Sequence, residues 1–431
     1  MRALYKPKHL PLSEISTAEN LSAGKKRIEN AVLSYKKFFG PGYENNIRIF
    51  SVPGRVEIGG NHTDHNCGKV MAASISLDII AVVEPIDVPK IAVISEGYGR
   101  EFGVWIDNLD KIPEEVGTQE GFIRGVVKYF ADKGLRYGGF KAYFSSNIPT
   151  GANLGGSAAF GVMIGTILSY LYCGGRTKPL KIANAARYAE SAYFGKHNLD
   201  EKTSGSLMDP IACAFGAFVL MDFKEPTAPV VESIDANFDS WGYYLCMIDT
   251  ELGFDWKTLR CEHEAIEKEM KQIASFFDVE CLRQVVKQDV ILNVTELREK
   301  YGDRAILRAL HYFNENDNVA KMALALQAKD FSRFMSLVNI SGDSSFKYLQ
   351  NIYAASEIKH QSLALGLNLA ENSLAGKGAC RIHGAGFSGT FQAYVPKEFI
   401  KLFRYDIERT FGPRSCNVLT IRKHGSCEIV L

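Results

Sequence analysis

The sequence lacks most of the features that mark secreted, membrane-bound or nucleic-acid-binding proteins. Its 431 residues carry a formal net charge of only +1, so there is no basic field to hold a nucleic acid. The nine cysteines are odd in number and form no CxxC pair, which predicts reduced thiols rather than disulfides or a Cys-rich zinc site. The N-terminus has no apolar signal segment, and the most apolar stretch, residues 159–173, is too short to span a membrane. We therefore expect a cytoplasmic protein without a membrane or nucleic-acid partner.

The hydrophobic pattern predicts an α+β protein whose second half is rich in helix. Amphipathic periodicity predicts helices at residues 22–39, 121–134 and 180–194, and an apolar run predicts a buried helix from Ser157. Helical periodicity then dominates residues 257–353. Strands are predicted at residues 48–53, 70–85, 91–102, 139–145, 215–223, 379–396 and 415–431. The length favours more than one domain, and we place the division between residues 1–215 and 216–431.

Two common nucleotide-binding signatures are missing or out of context. The sequence contains no G-x-x-x-x-G-K-[ST] loop. A single G-x-G-x-x-G occurs at residues 384–389, but residues 390–395 after it have the pattern of a strand rather than a helix. A dinucleotide-binding fold is therefore disfavoured, and a tight glycine turn between two strands is the better interpretation.

A second glycine-rich segment has the properties of a phosphate-binding loop. Residues 147–160, NIPTGANLGGSAAF, lead directly into the predicted buried helix. Glycines allow backbone N–H groups to turn towards one point, and a helix N-terminus adds partial positive charge, so together they favour an anion. The plainer alternative is an ordinary glycine-rich helix start.

A third segment, residues 53–66 with the sequence PGRVEIGGNHTDHN, concentrates polar side chains in one short turn. Asp and Asn side chains can hydrogen-bond the neighbouring hydroxyl groups of a sugar. Two alternatives remain open at this point. The segment could be a solvated turn of the kind that Asn and Asp favour, or His62, Asp64 and His65 could bind a metal.

Taken together, the motifs resemble those of the galactokinases within the GHMP kinase family. Residues 53–66 resemble the signature PGRVNLIGEHTDYN, and residues 149–158 resemble the second family motif, P-x-G-x-G-L-[GS]-S-S-A. Residues 381–389, RIHGAGFSG, resemble the third motif, and residues 205–210, GSLMDP, resemble G-[IL]-M-D-Q. The motifs occur in family order along nearly the whole chain. The resemblance implies the GHMP kinase fold, with two α+β domains and the active site in the cleft between them.

The resemblance also implies roles for individual residues. Asp209 would be the catalytic carboxylate, with Arg55 facing it and neutralising charge on the transferred phosphoryl group. Ser157 and Glu190 would bind Mg²⁺. The ATP-binding loop would comprise Gly151, Ala152, Asn153, Leu154, Gly155, Gly156, Ser157 and Ala158. The sugar would be bound by Asn61, His62, Asp64, Gly205 and His263.

Several positions depart from the family pattern. Asn61 replaces a glutamate, Gly155 and Gly156 replace two serines, and Pro210 replaces a glutamine. His263 stands where the family has a sugar-stacking tyrosine, and residues 197–204 are an insertion. The expected function is that of a sugar kinase converting ATP and galactose to ADP and galactose 1-phosphate, as a monomer or small homo-oligomer. A kinase for a related sugar such as N-acetylgalactosamine and a non-catalytic sugar and ATP sensor remain the alternatives.

Overall fold

Strands and helices are mixed along the chain, as expected for an α+β protein. A computed structural model describes residues 8–16, 20–40, 46–151, 153–195, 206–250 and 256–430. The strands are β1 (His9–Pro11), β2 (Arg48–Gly59), β3 (Lys69–Ile86), β4 (Lys90–Ser95), β5 (Glu101–Trp105), β6 (Gly139–Ser146), β7 (Phe218–Asp222), β8 (Val230–Ile234), β9 (Tyr243–Asp249), β10 (Ala379–Ile382), β11 (Thr390–Pro396), β12 (Cys416–Leu419) and β13 (Cys427–Val430).

The α-helices take up more of the second half of the chain than of the first, as the hydrophobic periodicity predicts. They are α1 (Leu12–Ile15), α2 (Leu21–Phe39), α3 (Gln119–Asp132), α4 (Gly156–Tyr172), α5 (Pro179–Tyr188), α6 (Met208–Phe215), α7 (Trp256–Phe276), α8 (Lys287–Leu292), α9 (Val294–Gln327), α10 (Phe331–Ser344), α11 (Ser362–Leu374) and α12 (Ile400–Phe411). No helix among the described residues is both long enough and apolar enough to cross a membrane.

The chain divides into two compact units. The first contains residues 1–55, 74–217 and 422–431, and the second contains residues 56–73 and 218–421. The division that we placed after residue 215 lies two residues before one of these junctions, at Ala217 and Phe218. Because β2 and β3 each pass from one unit to the other, the units are discontinuous in sequence and a single linear boundary describes them incompletely.

The first unit is built on one sheet with the strand order β1-β13-β2-β3-β6-β4-β5. The last strand of the chain, β13, returns to pair antiparallel with β2 and parallel with β1. The central strand β3 is rich in Ile and Val and is buried over most of its length. Helix α4 is buried nearly all round and packs against α3, α5 and α6. Such a helix must be apolar on every face, which explains the uninterrupted apolar run after Ser157.

The second unit combines a sheet with a helical region. Its four-stranded sheet has the order β10-β11-β9-β12, and residues 69–73 of β3 pair with β7, which pairs with β8. One core cluster lies on this sheet under α11 and α12 and includes Ile248, Leu363, Phe391 and Phe403. A second cluster joins α7 to α9 through Met270, Ile306 and Tyr312. These cores position the loops that carry the polar motifs.

Candidate active site

In the first unit, the glycine-rich loop turns sharply into helix α4. Gly155 is the N-cap residue of α4 and has a left-handed backbone with φ of 77°, which glycine adopts without the strain that a Cβ would impose. Leu154 lies buried beneath the turn, and its carbonyl oxygen accepts a hydrogen bond from the backbone N–H of Arg55 at 2.9 Å. The loop is therefore anchored to β2, with Gly156 and Ser157 exposed at the start of the helix.

Arg55 and Asp209, a predicted pair far apart in sequence, meet in the first unit. Nε of Arg55 donates to Oδ1 of Asp209 at 2.5 Å, and Nη2 donates to Oδ2 at 2.6 Å. The third nitrogen, Nη1, donates to the backbone oxygen of Asn153 in the glycine-rich loop. The Arg55 side chain is 4% exposed, whereas that of Asp209 is 27% exposed. Arg55 thus connects the loop to a carboxylate that solvent, or a substrate hydroxyl, can still reach.

Asp209 owes its position to α6. This helix begins at Met208, so Asp209 lies in its first turn, where a carboxylate is favoured by the helix dipole. The helix ends at Phe215 and is capped by Gly216, whose backbone φ is 87°. The predicted strand at residues 215–223 is therefore shorter in the structure, where β7 spans only Phe218–Asp222.

Ser157 and Glu190, the predicted magnesium ligands, are neighbours in the first unit. The hydroxyl of Ser157 donates to Oε1 of Glu190 at 2.9 Å. Glu190 lies in a π-helical turn, Ala189–Tyr193, that follows α5, and it is 8% exposed. One hydroxyl and one carboxylate oxygen side by side fit Mg²⁺, which takes few protein ligands and completes its shell with phosphate and water. Helix bulges of this type are frequent at functional sites.

In the second unit, the predicted sugar motif forms a compact turn between β2 and β3. The hydroxyl of Thr63 donates to the carbonyl oxygens of Gly60 and Lys69, at 2.9 and 2.6 Å, and so closes the loop on itself. A short 3₁₀ turn at Asp64–Asn66 follows. Asp64 is half-buried and His65 is exposed, so both are accessible to a ligand.

Asn61 is fully buried, and its amide is used inside the protein. Its Nδ2 donates to Oε1 of Glu57 at 3.1 Å and to the carbonyl oxygen of Gly384. Its Oδ1 accepts a hydrogen bond from Nδ2 of Asn351 at 2.6 Å. The Asn61 side chain therefore holds the loop through hydrogen bonds within the protein. A contact between Asn61 and the sugar stays a prediction. Glu57 in turn accepts a hydrogen bond from the buried Arg381 at 3.0 Å.

Two further buried side chains hold the backbone of the same loop. Glu315 accepts a hydrogen bond from the N–H of Gly60 at 2.8 Å, and Nε2 of His311 lies 2.9 Å from the carbonyl oxygen of Asn61. Burial alone raises the pKa of Glu315, but the charges of Arg381 and His311 and the hydrogen bonds to the carboxylate leave that pKa lowered. Sequence reasoning missed these residues because α9 gives only a helical pattern, with no local sign that His311 or Glu315 faces the motif.

The histidines of the motif form a directed hydrogen-bond chain. Nε2 of His62 lies 2.8 Å from the carbonyl oxygen of Ala385 and must donate to it. Nδ1 of His62 then accepts from Nε2 of His65 at 3.1 Å, and Nδ1 of His65 accepts from the amide of Asn66 at 2.9 Å. Burial lowers the pKa of His62 well below its usual value, and the charges of His65 and His263 lower it further. His62 is therefore a neutral, oriented imidazole near neutral pH.

His263, on α7, joins this group. Its ring lies 6.0 Å from that of His62 and 5.7 Å from that of Phe387, and its Nε2 lies 3.2 Å from the carbonyl oxygen of Gly386. Burial lowers its pKa as well. The carbonyls of Ala385 and Gly386 belong to the third glycine-rich segment, which lies between β10 and β11. The predicted glycine turn between two strands is thus confirmed.

Not every predicted site residue can be placed. Ala152 and Gly205, together with residues 197–204, lie outside the described residues. Ala158 is buried on the first turn of α4, and Gly151 is exposed within the loop. Within the described part of the chain, no group of three or more His, Cys, Asp or Glu side chains is arranged to bind a metal.

Comparison with known protein families identifies the two motifs. A model of the galactokinase galactose-binding signature matches residues 34–85, and a model of the GHMP kinase N-terminal domain matches residues 121–217. The first segment contains Arg55 and the sugar motif, and the second contains Ser157, Glu190 and Asp209. The chain is also 27% identical to a galactokinase of Glaesserella parasuis serovar 5 (strain SH0165) over 396 residues, covering 88% of this chain and 92% of that protein.

Solved structures show the same fold. The crystal structure of Lactococcus lactis galactokinase complexed with galactose superposes with a TM-score of 0.76 at 21% identity, covering 93% of this chain and 99% of that one. The mevalonate kinase of Methanococcus jannaschii gives a TM-score of 0.59 at 14% identity, covering 88% and 99% of the two chains.

Proposed function

We propose that the chain transfers the γ-phosphate of ATP to the C1 hydroxyl of galactose, because it matches the models of the galactokinase galactose-binding signature and of the GHMP kinase N-terminal domain and is similar to a galactokinase over most of its length. The observation that best supports this function is the pairing of Arg55 with both Asp209 and the glycine-rich loop. The guanidinium of Arg55 thereby contacts both Asp209, which is proposed to bind the sugar hydroxyl, and the loop that is proposed to bind the phosphates.

In the proposed reaction, the carboxylate of Asp209 accepts a hydrogen bond from the C1 hydroxyl and takes its proton as the hydroxyl oxygen attacks phosphorus. The bidentate contact with Arg55 fixes the orientation of that carboxylate. Phosphoryl transfer proceeds through a loose transition state, so positioning and charge stabilisation matter more than strong base catalysis. Arg55 contributes positive charge where negative charge spreads over the phosphoryl oxygens.

The glycine-rich loop and α4 would hold the ATP phosphates, because Gly156 and Ser157 are exposed at the helix N-terminus, where backbone N–H groups have no partner within the helix. Ser157 and Glu190 would hold Mg²⁺, which when bound neutralises phosphate charge. In the second unit, Asp64, His65 and His263 would contact the sugar, while His62 keeps the turn oriented through its bond to Ala385.

The test is an assay of ADP release with a panel of free sugars that includes galactose and N-acetylgalactosamine. With the best sugar, Asp209→Asn should lower kcat by about 10²–10⁴-fold with little change in the sugar KM, because it loses an interaction specific to the transition state. The matched control is Asp222→Asn, which removes a carboxylate of similar exposure paired with Arg283 at 3.1 Å. This control should retain the parent rate.

The same assay tests the metal assignment. Glu190→Gln should raise the Mg²⁺ concentration needed for half-maximal rate, because an amide is a weaker ligand for this cation than a carboxylate. An unchanged Mg²⁺ requirement contradicts the assignment. If the parent protein releases no ADP with any sugar while galactose and ATP raise its Tm, the chain is a sensor and not an enzyme.

A further inference from the structure

Helices α9 and α10 of the second unit pack against each other and bury four polar side chains at their contact. His311 and Glu315 lie one turn apart on α9, and Ser341 and Ser344 lie one turn apart on α10, so each pair shares one face of its helix. His311, Glu315 and Ser341 are fully buried, and Ser344 is 4% exposed. Because burying a polar group is costly unless it is hydrogen-bonded, these four side chains must find their partners within the protein.

One path of hydrogen bonds runs from Ser344 through His311 to the carbonyl group of Asn61. Nε2 of His311 lies 2.9 Å from this carbonyl oxygen, which can only accept, so Nε2 carries a hydrogen and donates it. Burial lowers the pKa of His311 and keeps the ring neutral near neutral pH, which leaves a lone pair on Nδ1. The hydroxyl of Ser344 lies 2.9 Å from Nδ1 and donates to it. Ser344 thus favours the tautomer of His311 that can hold the loop.

A second path runs from Ser341 through Glu315 to the backbone N–H of Gly60. Oε1 of Glu315 accepts from Gly60 at 2.8 Å and from the hydroxyl of Ser341 at 2.6 Å. The two paths therefore end on the N–H of one residue and on the carbonyl oxygen of the next, Asn61. Because β2 ends at Gly59, the side chains of α9 hold the backbone at the point where the strand gives way to the turn of the sugar motif.

The peptide group held by His311 is also one whose orientation is strained. It joins Asn61 to His62, and the φ of His62, which is 57°, describes the rotation of this peptide group about the N–Cα bond of His62. A non-glycine residue keeps such a left-handed backbone only where its surroundings impose it. Loss of the hydrogen bond from His311 therefore allows the peptide group to rotate, and this rotation displaces the residues that follow it, Asp64 and His65.

We propose that these two paths position the sugar: the serine hydroxyls of α10, acting through His311 and Glu315 of α9, set the backbone of the turn that makes the sugar contacts. All four side chains are buried, so they are positioning residues that act through the turn and do not touch the sugar themselves. This inference rests on the proposed sugar kinase function. What it adds is that the affinity for galactose is controlled from two helices that lie outside the sequence motifs.

Ser344→Ala is the mildest test, because it removes only the hydroxyl that orients the ring of His311. The KM for galactose should rise by about 2- to 10-fold, the factor that corresponds to one neutral hydrogen bond, while kcat and the KM for ATP stay at the parent values. The matched control is Ser345→Ala, at a neighbouring buried hydroxyl that has no hydrogen-bond partner among the described residues. This control should keep the parent KM for galactose. An equal change in the two variants overturns the proposal.

Two substitutions of His311 separate positioning from packing. His311→Leu keeps an apolar side chain in the space but leaves the carbonyl group of Asn61 unpaired, so the KM for galactose should rise by about 10- to 100-fold. His311→Gln retains an N–H that can donate to this carbonyl group, so most of the affinity should return. Adding Ser344→Ala to His311→Gln should have little further effect, because the ring nitrogen that Ser344 contacts is gone. Equal KM values for the leucine and glutamine variants contradict the proposed path.

Two measurements do not depend on turnover. Calorimetric titration with galactose alone should place the dissociation constants of the variants in the same order as their KM values. The ring nitrogen chemical shifts of the parent, assigned by the signals lost in His311→Gln, should show His311 protonated at Nε2 only. Protonation at Nδ1 overturns the proposal even if the chain is an active galactose kinase, and so does parent-like galactose binding by Ser344→Ala and His311→Leu. A parent protein that neither binds nor phosphorylates a sugar contradicts the proposed function and this inference with it.

Discussion

The Arg55 side chain makes two contacts that a lysine side chain could not make at the same time. Its planar guanidinium binds both oxygens of Asp209 and also the backbone oxygen of Asn153. A lysine at this position would offer one compact charge, without the fork geometry that matches a carboxylate. The arginine therefore couples the position of the carboxylate to that of the glycine-rich loop. Motif resemblance could predict that Arg55 and Asp209 face each other, but not the contact with Asn153, because nothing local in the sequence relates the two segments.

The buried position of Asn61 and its hydrogen-bond partners could not be predicted from the sequence. The resemblance marks position 61 as part of the sugar motif, and a polar residue in a turn is ordinarily expected to face solvent or a ligand. Its partners Glu57 and Asn351 come from β2 and from the segment after α10, and only the folded unit brings them together. The substitution of asparagine at a position where the family has glutamate is consistent with this burial, since a second carboxylate would lie beside Glu57.

Asn61→Asp tests that explanation. The change conserves size but removes the donor to Glu57 and Gly384 and places two carboxyl groups within hydrogen-bonding distance. The free energy of unfolding should fall by about 3 kcal/mol or more, as expected when a buried charge loses its partners. The control is Asn318→Asp, at another buried amide, whose Nδ2 donates to the carbonyl oxygen of Leu337 at 2.9 Å. Urea unfolding that shows no larger loss for Asn61→Asp than for Asn318→Asp contradicts the role of Glu57.

At the scale of elements, the long periodic segments were predictable and the local irregularities were not. Predicted helices at residues 22–39 and 121–134 are confirmed by α2 and α3. The predicted helix at 180–194 is instead α5 followed by the π-helical turn that carries Glu190. One extra residue in a helical turn scarcely changes the hydrophobic period, so the pattern cannot reveal it. No element was predicted for residues 224–256, where the structure has β8 and the central strand β9.

Two adjacent glycines at the start of α4, Gly155 and Gly156, should respond differently to substitution by alanine. A Cβ on Gly155 would lie 2.9 Å from Cγ of Arg55 on a backbone with φ of 77°, whereas a Cβ on Gly156 would meet only Ile148 at 3.9 Å. Gly155→Ala should therefore destabilise the protein by about 1–3 kcal/mol and displace the Arg55 side chain. Gly156→Ala should be neutral or stabilise by up to about 1 kcal/mol, because alanine favours a helix. Thermal unfolding of both variants checks this, and equal Tm values would contradict the assigned geometry.

At the scale of the whole molecule, the hydrophobic pattern predicted an α+β protein, but the particular fold was predictable only through motif order. The GHMP kinase fold implied by the resemblance is confirmed by the solved structures of Lactococcus lactis galactokinase and a mevalonate kinase. Composition and periodicity alone could not have given it, since they do not show that β13, at the end of the chain, returns to the first sheet. The same is true of residues 56–73, which lie early in the sequence but belong to the second unit.

The lowered pKa values of three histidines predict how the stability of the protein depends on pH. The pKa values of His62, His263 and His311 are all lowered, with burial as the largest cause. In the unfolded chain each imidazole titrates near its ordinary value of about 6.5. Below that pH the unfolded state binds more protons than the folded state, so the free energy of unfolding falls as the pH is lowered. Each fully shifted histidine contributes up to about 1.4 kcal/mol for every pH unit below about 6.

His62 gives the sharpest test of this dependence, because its ring faces His65, His263 and His311, whose charges all disfavour its protonation. Urea unfolding at pH 7.5 and 5.5 stays above the range in which ordinary carboxylic acids titrate. The parent should lose stability over this interval, and His62→Gln should lose less, by about 1 kcal/mol for the one titrating group removed. His360→Gln, which replaces a histidine whose side chain is 75% exposed, should behave like the parent. If His62→Gln keeps the parent's full pH dependence, His62 gains its proton as readily in the folded state as in the unfolded chain, which contradicts its lowered pKa. At pH 5.5 the directed chain from Asn66 through His65 to Ala385 would then be broken, because Nδ1 of a protonated His62 has no lone pair with which to accept.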